Sequence, residues 1–120
     1  MTPKRWARVR ATRAHGLRRG AWYAVVNDTK PGIVFIDVSK RNVAVDRTLL
    51  EFRDRPPDSW SVVVRNPEDV ASQRASAQHL NPTYGVCPQC RGRANLFAGA
   101  PRARCTYCGG DFNVDWVNTC

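Results

Sequence analysis

The chain has 120 residues, of which 42% are hydrophobic and 24% charged, with five cysteines and a formal net charge of +9. This length allows one ordinary domain or two very small ones, and the composition is that of a folded chain rather than a disordered one. No apolar run approaches the roughly 20 residues of a membrane span, and the basic first twenty residues lack the apolar stretch of a secretory signal, so neither a membrane partner nor secretion is expected.

The charge is uneven along the chain. Residues 1–20 carry seven cations (Lys4, Arg5, Arg8, Arg10, Arg13, Arg18 and Arg19) and no acid, residues 21–86 carry eight of each sign, and residues 87–120 carry four arginines and two aspartates. Arginine outnumbers lysine sixteen to three. That bias suits bidentate phosphate contacts, and a GC-rich genome would produce it as well. Past Met1, the only large apolar groups of this stretch are Trp6, Val9 and Leu17. Two readings stand side by side: residues 6–12 form a first strand with Arg8 and Arg10 on one face, or the stretch is a loose basic arm.

Residues 21–26 combine aromatic and β-branched side chains and predict a strand. A turn at 28–32 follows, where Pro31 fixes φ and Gly32 permits unusual values. Residues 33–38, apolar on both faces, predict a central strand, 39–42 a hairpin loop and 43–46 a third strand. Residues 47–53 continue as a short fourth strand or a turn, Pro56 and Pro57 break the chain, and 60–65 predict the last strand of the set. Short strands joined by tight turns fit a small barrel, a split sandwich or an open meander. The run from Leu17 through Gly20 to Val25 resembles the hydrophobic-x-x-Gly-x-x-hydrophobic-x-Val opening of SH3-like barrels. The resemblance covers residues 5–65 and implies a barrel whose body is 21–65.

Asn66 is a good N-cap, Pro67 suits a first helical position, and Glu68 and Asp69 meet the positive end of a helix dipole. A helix over 66–80, stopped at Asn81 and Pro82, is therefore expected. Its few apolar residues make it a surface helix or spacer, and its Gln and Ser content also allows a disordered linker.

Cys87 and Cys90 form one C-x-x-C pair, and Cys105 and Cys108 form a second, fourteen residues on. Two such pairs put four thiolates within reach of one tetrahedral ion, and four cysteines fill the coordination shell of zinc. Iron in a rubredoxin-like site and a redox dithiol pair use the same residues. A disulfide framework would require an oxidising compartment. Gly92 and Gly109 follow the pairs where the turns need positive φ, and the spacer suits a hairpin closing at 98–101. Phe112, Val114 and Trp116 alternate with Asn113 and Asp115, so one face of a final strand packs on the metal core. The pattern Cys-Pro-x-Cys, a β-arm, a basic strand into Cys-x-x-Cys-Gly and a last strand resembles the zinc-ribbon family over residues 86–116. The resemblance implies one structural zinc on Cys87, Cys90, Cys105 and Cys108, with no coordination position left for catalysis. Zinc in place of four thiol protons lowers the formal charge from +9 to +7. Cys120 is left over and reads as a free thiol.

No nucleophile, phosphate-loop or metalloprotease motif accompanies His15 or His79, and the acids fall mostly at turns. The chain is therefore expected to be neither an enzyme nor a binder of a small-molecule substrate. The whole reads as a mainly β protein: a basic arm or first strand (1–20), a small SH3-like β-barrel (21–65), a short helical linker (66–82) and a four-cysteine zinc ribbon (83–120). The function this favours is nucleic-acid binding, RNA or DNA, in the cytoplasm. The residues expected to carry it are Lys4, Arg5, Arg8, Arg10, Arg13, Arg18 and Arg19, with Trp6 to stack on a base and Arg91, Arg93, Arg102 and Arg104 on the ribbon. The alternative is an adaptor that docks a partner protein with an acidic surface in a larger assembly, using Trp22, Tyr23, Trp60 and Tyr107 as anchors.

Overall fold

The computed structural model describes residues 5–10, 17–65 and 80–120. They form ten strands in two five-stranded sheets, one in each of two units, 1–57 and 58–120. The expected helix over 66–80 falls on 66–79, outside the described residues. Among those described, no helix is long and apolar enough to cross a membrane.

The first unit contains β1 (Trp6–Val9), β2 (Trp22–Asn27), β3 (Ile33–Val38), β4 (Arg41–Asp46) and β5 (Leu50–Arg53), in the spatial order β4-β3-β2-β1-β5 with every pair antiparallel. The segment 6–9 is thus a strand, and it is central to its sheet. Residues 47–53 do both things the sequence allowed: a 3-10 turn at Arg47–Leu49, then a strand. Asp46 caps that turn by accepting the Thr48 backbone N–H at 2.9 Å and the Thr48 hydroxyl at 2.7 Å. These bonds hold its carboxyl below the usual carboxylate range.

Chain connectivity forces this sheet to bend. β4 and β5 lie at opposite edges, which in a flat five-stranded sheet would be about 19 Å apart. Asp46 and Leu50 are only four residues apart, which limits their separation to about 14 Å. The sheet must curl to bring its edges together, and a bulge in β2 helps it do so: Val25 pairs with Ile36 and Asn27 with Phe35, so two steps on one strand oppose one on the other. The result is a half-barrel whose concave side holds Val9, Tyr23, Val34, Ile36 and Val45 among its buried residues.

The second unit contains β6 (Ser59–Val64), β7 (Thr83–Val86), β8 (Arg93–Asn95), β9 (Arg102–Arg104) and β10 (Asp111–Asp115), in the order β8-β7-β6-β10-β9. β6 runs parallel to β10 and antiparallel to β7; the outer pairs are antiparallel. This corrects two expectations. The strand at 60–65 does not complete the first sheet; it is the middle of the second. Trp60, Ser61, Val62 and Val63 are all buried, and the strand is paired along both edges, with β7 on one and β10 on the other. Nor do the arms on either side of the turn at 98–101 pair as a hairpin: β8 and β9 occupy opposite edges, with three strands between them.

Where the chain leaves β6, Arg65 ties the return. Its backbone N–H donates to the Pro82 carbonyl at 2.8 Å, and its buried guanidinium donates to the carbonyls of Leu80 (2.7 Å) and Asn81 (2.6 Å) while lying over the Tyr84 ring.

Candidate metal centre

Two hairpins, β7 with β8 and β9 with β10, flank β6, and each ends in a C-x-x-C turn. The two turns are built alike. In the first, the Arg91 N–H donates to the Cys87 carbonyl (3.1 Å) and the Cys87 N–H to the Gly92 carbonyl (2.8 Å). In the second, Gly109 donates to Cys105 (2.9 Å) and Cys105 to Gly110 (2.8 Å). The residue directly after the second cysteine therefore takes positive φ in both: 62° at Arg91 and 76° at Gly109. The left-handed position of the first turn is held by an arginine, not by Gly92 as its place in the sequence suggests. Gly92 has another role. A Cβ there would come within 2.7 Å of the Tyr107 ring and 3.2 Å of the Cys90 sulfur, so only glycine lets the second turn pack on the first.

This local architecture brings four sulfurs together. Sγ of Cys87 lies 3.7 Å from that of Cys108, Sγ of Cys90 lies 3.5 Å from that of Cys105, and all four fall within 4.8 Å of one another. A disulfide would need about 2.05 Å. Four sulfurs about 2.3 Å from a common centre stand about 3.8 Å apart at the corners of a tetrahedron. The group could therefore hold one metal ion in a complete four-sulfur shell. Backbone N–H groups point at the sulfurs, Gln89 to Cys87 and Gly92 to Cys90, each at 3.4 Å, and such bonds offset thiolate charge. Beneath the sulfurs, Trp60 is fully buried and its indole N–H donates to the Ala103 carbonyl at 2.9 Å; Leu96, Phe112 and Val114 complete the apolar floor.

Cys87, Cys90 and Cys105 differ in protonation. Burial pushes Cys87 up to about 12, with partial relief from the backbone N–H groups of Cys90 and Gln89. Burial likewise raises Cys90. At Cys105 burial acts the same way, but the N–H groups of Cys108 and Tyr107 and the neighbouring thiols of Cys90 and Cys108 outweigh it and bring the thiol to about 7. Cys120 lies outside the group. It extends the ladder on β6, donating to the Val62 carbonyl (2.8 Å) and accepting from the Val64 N–H (3.0 Å).

The cations singled out in the sequence are not gathered into one site. Lys4 and Arg13 lie outside the described residues. Arg5 bonds Asp28 at 2.5 Å, approaches Asp54 at 3.4 Å and lies over Phe52. Arg8, expected to face phosphate, is 2% exposed, paired with Glu51 and stacked over Trp22. It is removed from the candidate interface, because a guanidinium buried against a carboxylate and an indole cannot reach a ligand. Arg10 is exposed and 3.5 Å from Glu51. Trp6 and Arg19 are half-buried and Arg18 is exposed. On the second unit, Arg91 and Arg93 follow the first turn, while Arg102 and Arg104 lie on β9 at the other edge. Arg102 is 3.4 Å from Asp111 and donates to Asn113 at 3.0 Å. The sequence reading passed over Phe97, 89% exposed, and placed Tyr107, 68% exposed, only among partner anchors. Phe97, between Leu96 and Ala98, and Tyr107, inside a C-x-x-C pair, belong to no periodic pattern that marks an exposed ring.

Comparison of the chain with models of known families, with curated proteins and with solved structures finds no significant match.

Proposed function

We propose that this chain is a non-enzymatic nucleic-acid-binding protein, in which an SH3-like barrel is followed by a ribbon closed by one structural zinc. Zinc is the ion favoured by a closed set of four cysteine thiolates on paired C-x-x-C turns. Such a shell offers no position to water or substrate, which supports a structural role for the metal and a binding role for the protein. The first sheet has the strand order β4-β3-β2-β1-β5 and curls into a half-barrel over residues 6–53, which supports a small-barrel reading of this unit. Thiolates on zinc persist in a reducing compartment, so the protein belongs in the cytoplasm.

The observation that carries the reading is how charge divides between the two units. Residues 1–57 hold thirteen cations and five acids, a net of +8, whereas residues 58–120 hold six and five, a net of +1. A zinc tetrathiolate, with a charge of −2, takes the second unit to −1. Attraction to phosphate is thus a property of the barrel unit. There Arg5 and Arg8 are taken up by acids, while Arg18, Lys30, Lys40, Arg41 and Arg55 stand exposed. Backbone contacts of this kind release counterions and do not read sequence.

A fluorescence anisotropy titration with labelled RNA and DNA tests this. Binding weakens as salt rises, and joint replacement of Lys40 and Arg41 by Ala lowers the log–log salt slope by about 2. Absence of binding at about 50 mM salt overturns the reading. The ion pairs of Arg5, Arg8 and Arg10 leave these cations less available to phosphate, and the second reading is an adaptor that docks a partner protein with an acidic surface through the remaining exposed cations and its aromatic side chains. That reading is upheld if nucleic acid fails to bind while an acidic partner protein is retained.

A further inference from the structure

The second unit carries almost no net charge, yet it displays two aromatic rings on rigid mounts. Tyr107 sits inside the second C-x-x-C turn. Its backbone N–H is bonded to the Cys105 sulfur, and one edge of its ring rests on Gly92 of the first turn, where a Cβ would intrude to 2.7 Å. The rest of the ring is open, 68% exposed, and Arg91 and Arg93 flank Gly92 in the chain. Phe97 opens a tight turn in which the Ala100 N–H donates to its carbonyl at 3.0 Å and Gly99 takes φ of 74°. The turn is pinned further on. The Trp116 indole N–H donates to the Ala100 carbonyl at 2.7 Å, and the Val114 N–H donates to the Pro101 carbonyl at 2.9 Å. The Phe97 ring nevertheless stands 89% exposed, and Arg102 and Arg104 follow on β9. Neither ring is needed by the apolar floor of the metal centre, which Trp60, Leu96, Phe112 and Val114 supply.

We infer that Tyr107 and Phe97 are stacking platforms for unpaired bases, so that the ligand is single-stranded nucleic acid rather than duplex. The inference rests on the nucleic-acid reading above and deepens it. The barrel unit draws in the phosphates, and the metal-bearing unit holds bases on the aromatic rings beside its arginines. Bases in a duplex are stacked on each other and offer no face to a ring, whereas every unpaired base does. The turns fix the backbone beneath both rings before binding, and Gly92 seats one edge of the Tyr107 ring, which lowers the ordering cost when a base stacks.

The test compares a short single-stranded oligonucleotide with a duplex of the same length, by anisotropy at fixed salt, on the full zinc-loaded chain. The single strand binds more tightly. Phe97→Ala and Tyr107→Ala each weaken it by roughly 5- to 150-fold, base–aromatic stacking being worth about 1–3 kcal/mol, and leave duplex affinity unchanged. Tyr107→Phe keeps the ring and keeps the affinity. Phe97→Ala alters an exposed side chain outside the metal centre, so it tests the platform even if Tyr107→Ala disturbs the turn; the visible spectrum of the cobalt-substituted protein shows whether the four-sulfur shell is intact. Binding of both ligands that is indifferent to Phe97→Ala and to Tyr107→Ala overturns the stacking platforms and leaves the nucleic-acid reading standing. Failure of wild-type protein to bind either ligand overturns both.

Discussion

Arg8 and Glu51 face each other across the β1–β5 ladder and are joined by an ion pair, and the arginine has almost no contact with solvent. Its guanidinium also lies 4.9 Å from the centre of the Trp22 ring, with Arg53 at 5.3 Å from the same ring. The pair makes a structural element of one of the seven cations in the first twenty residues. A buried guanidinium is tolerated here because a carboxylate and an aromatic face replace the water it has lost.

Arg8→Ala is therefore expected to destabilise the first unit by about 2–3 kcal/mol, through a partly buried carboxylate left with only the exposed Arg10 as its partner and lost packing on Trp22. It leaves the salt slope of nucleic-acid binding unchanged. Chemical denaturation and a salt titration on the same variant check both statements; a normal stability with a lowered slope would put Arg8 in the interface.

Purified, reduced protein is expected to contain one zinc per chain. Cys87→Ser and Cys105→Ser abolish stoichiometric binding, because each removes a buried corner of the four-sulfur set, and Cys120→Ser leaves it intact. A chelator is expected to destabilise the second unit and spare the half-barrel, since the four sulfurs lie on hairpins that flank β6 and on no strand of the first sheet. Metal analysis and hydrogen exchange read the two outcomes; zinc bound equally well by Cys105→Ser would refute the coordination.

Among the described residues, three other than glycine hold positive φ: Ser39 (52°), Lys40 (69°) and Arg91 (62°). Ser39 and Lys40 are the two central residues of the β3–β4 hairpin, whose flanking pair is Val38 with Arg41, and two-residue turns of this kind favour Asn-Gly. The double change Ser39→Asn with Lys40→Gly is expected to stabilise the first unit by about 1–2 kcal/mol, and Arg91→Gly the second by about 1 kcal/mol. Gly109→Ala acts in the opposite sense. Melting temperatures decide; a loss of stability in Arg91→Gly would mean that its side chain contributes more than its backbone costs.

In the zinc-free, reduced protein the Cys87 thiol, raised to about 12 from its ordinary 9.0, stays protonated when the unfolded chain has already ionised. Its contribution to stability is full below pH 9 and is lost as pH climbs toward 12. Cys105, lowered to about 7, works the other way: its contribution is full above the unfolded value of 9.0 and is lost as pH falls through 7. With zinc bound, all four sulfurs are thiolates, and acid releases the ion by protonating them. Unfolding of the zinc-free protein from pH 8 to 11 is expected to show an alkaline loss that Cys87→Ala reduces, the remainder belonging to Cys90; an identical loss in that variant would exclude Cys87 as a source.

The four-cysteine group and most strands were legible in the residues alone. A C-x-x-C turn is closed by bonds spanning five or six residues, so Cys87 to Gly92 and Cys105 to Gly110 carry their own instructions, and apolar runs such as 33–38 and 60–64 identify strands wherever they pair. What lay beyond reach was partnership. Nothing local distinguishes a strand at 59–64 that completes the first sheet from one that centres the second, nor arms at 93–95 and 102–104 that pair from arms parted by three strands. Those choices depend on which arrangement buries Trp60 from both sides and brings Cys87 and Cys105 under one ion. Likewise, an arginine at position 8 reads as surface charge until the fold sets Glu51 and Trp22 beside it. Short-range geometry was written in the sequence; long-range pairing, and with it the burial of individual charges, was decided only by the closed tertiary structure.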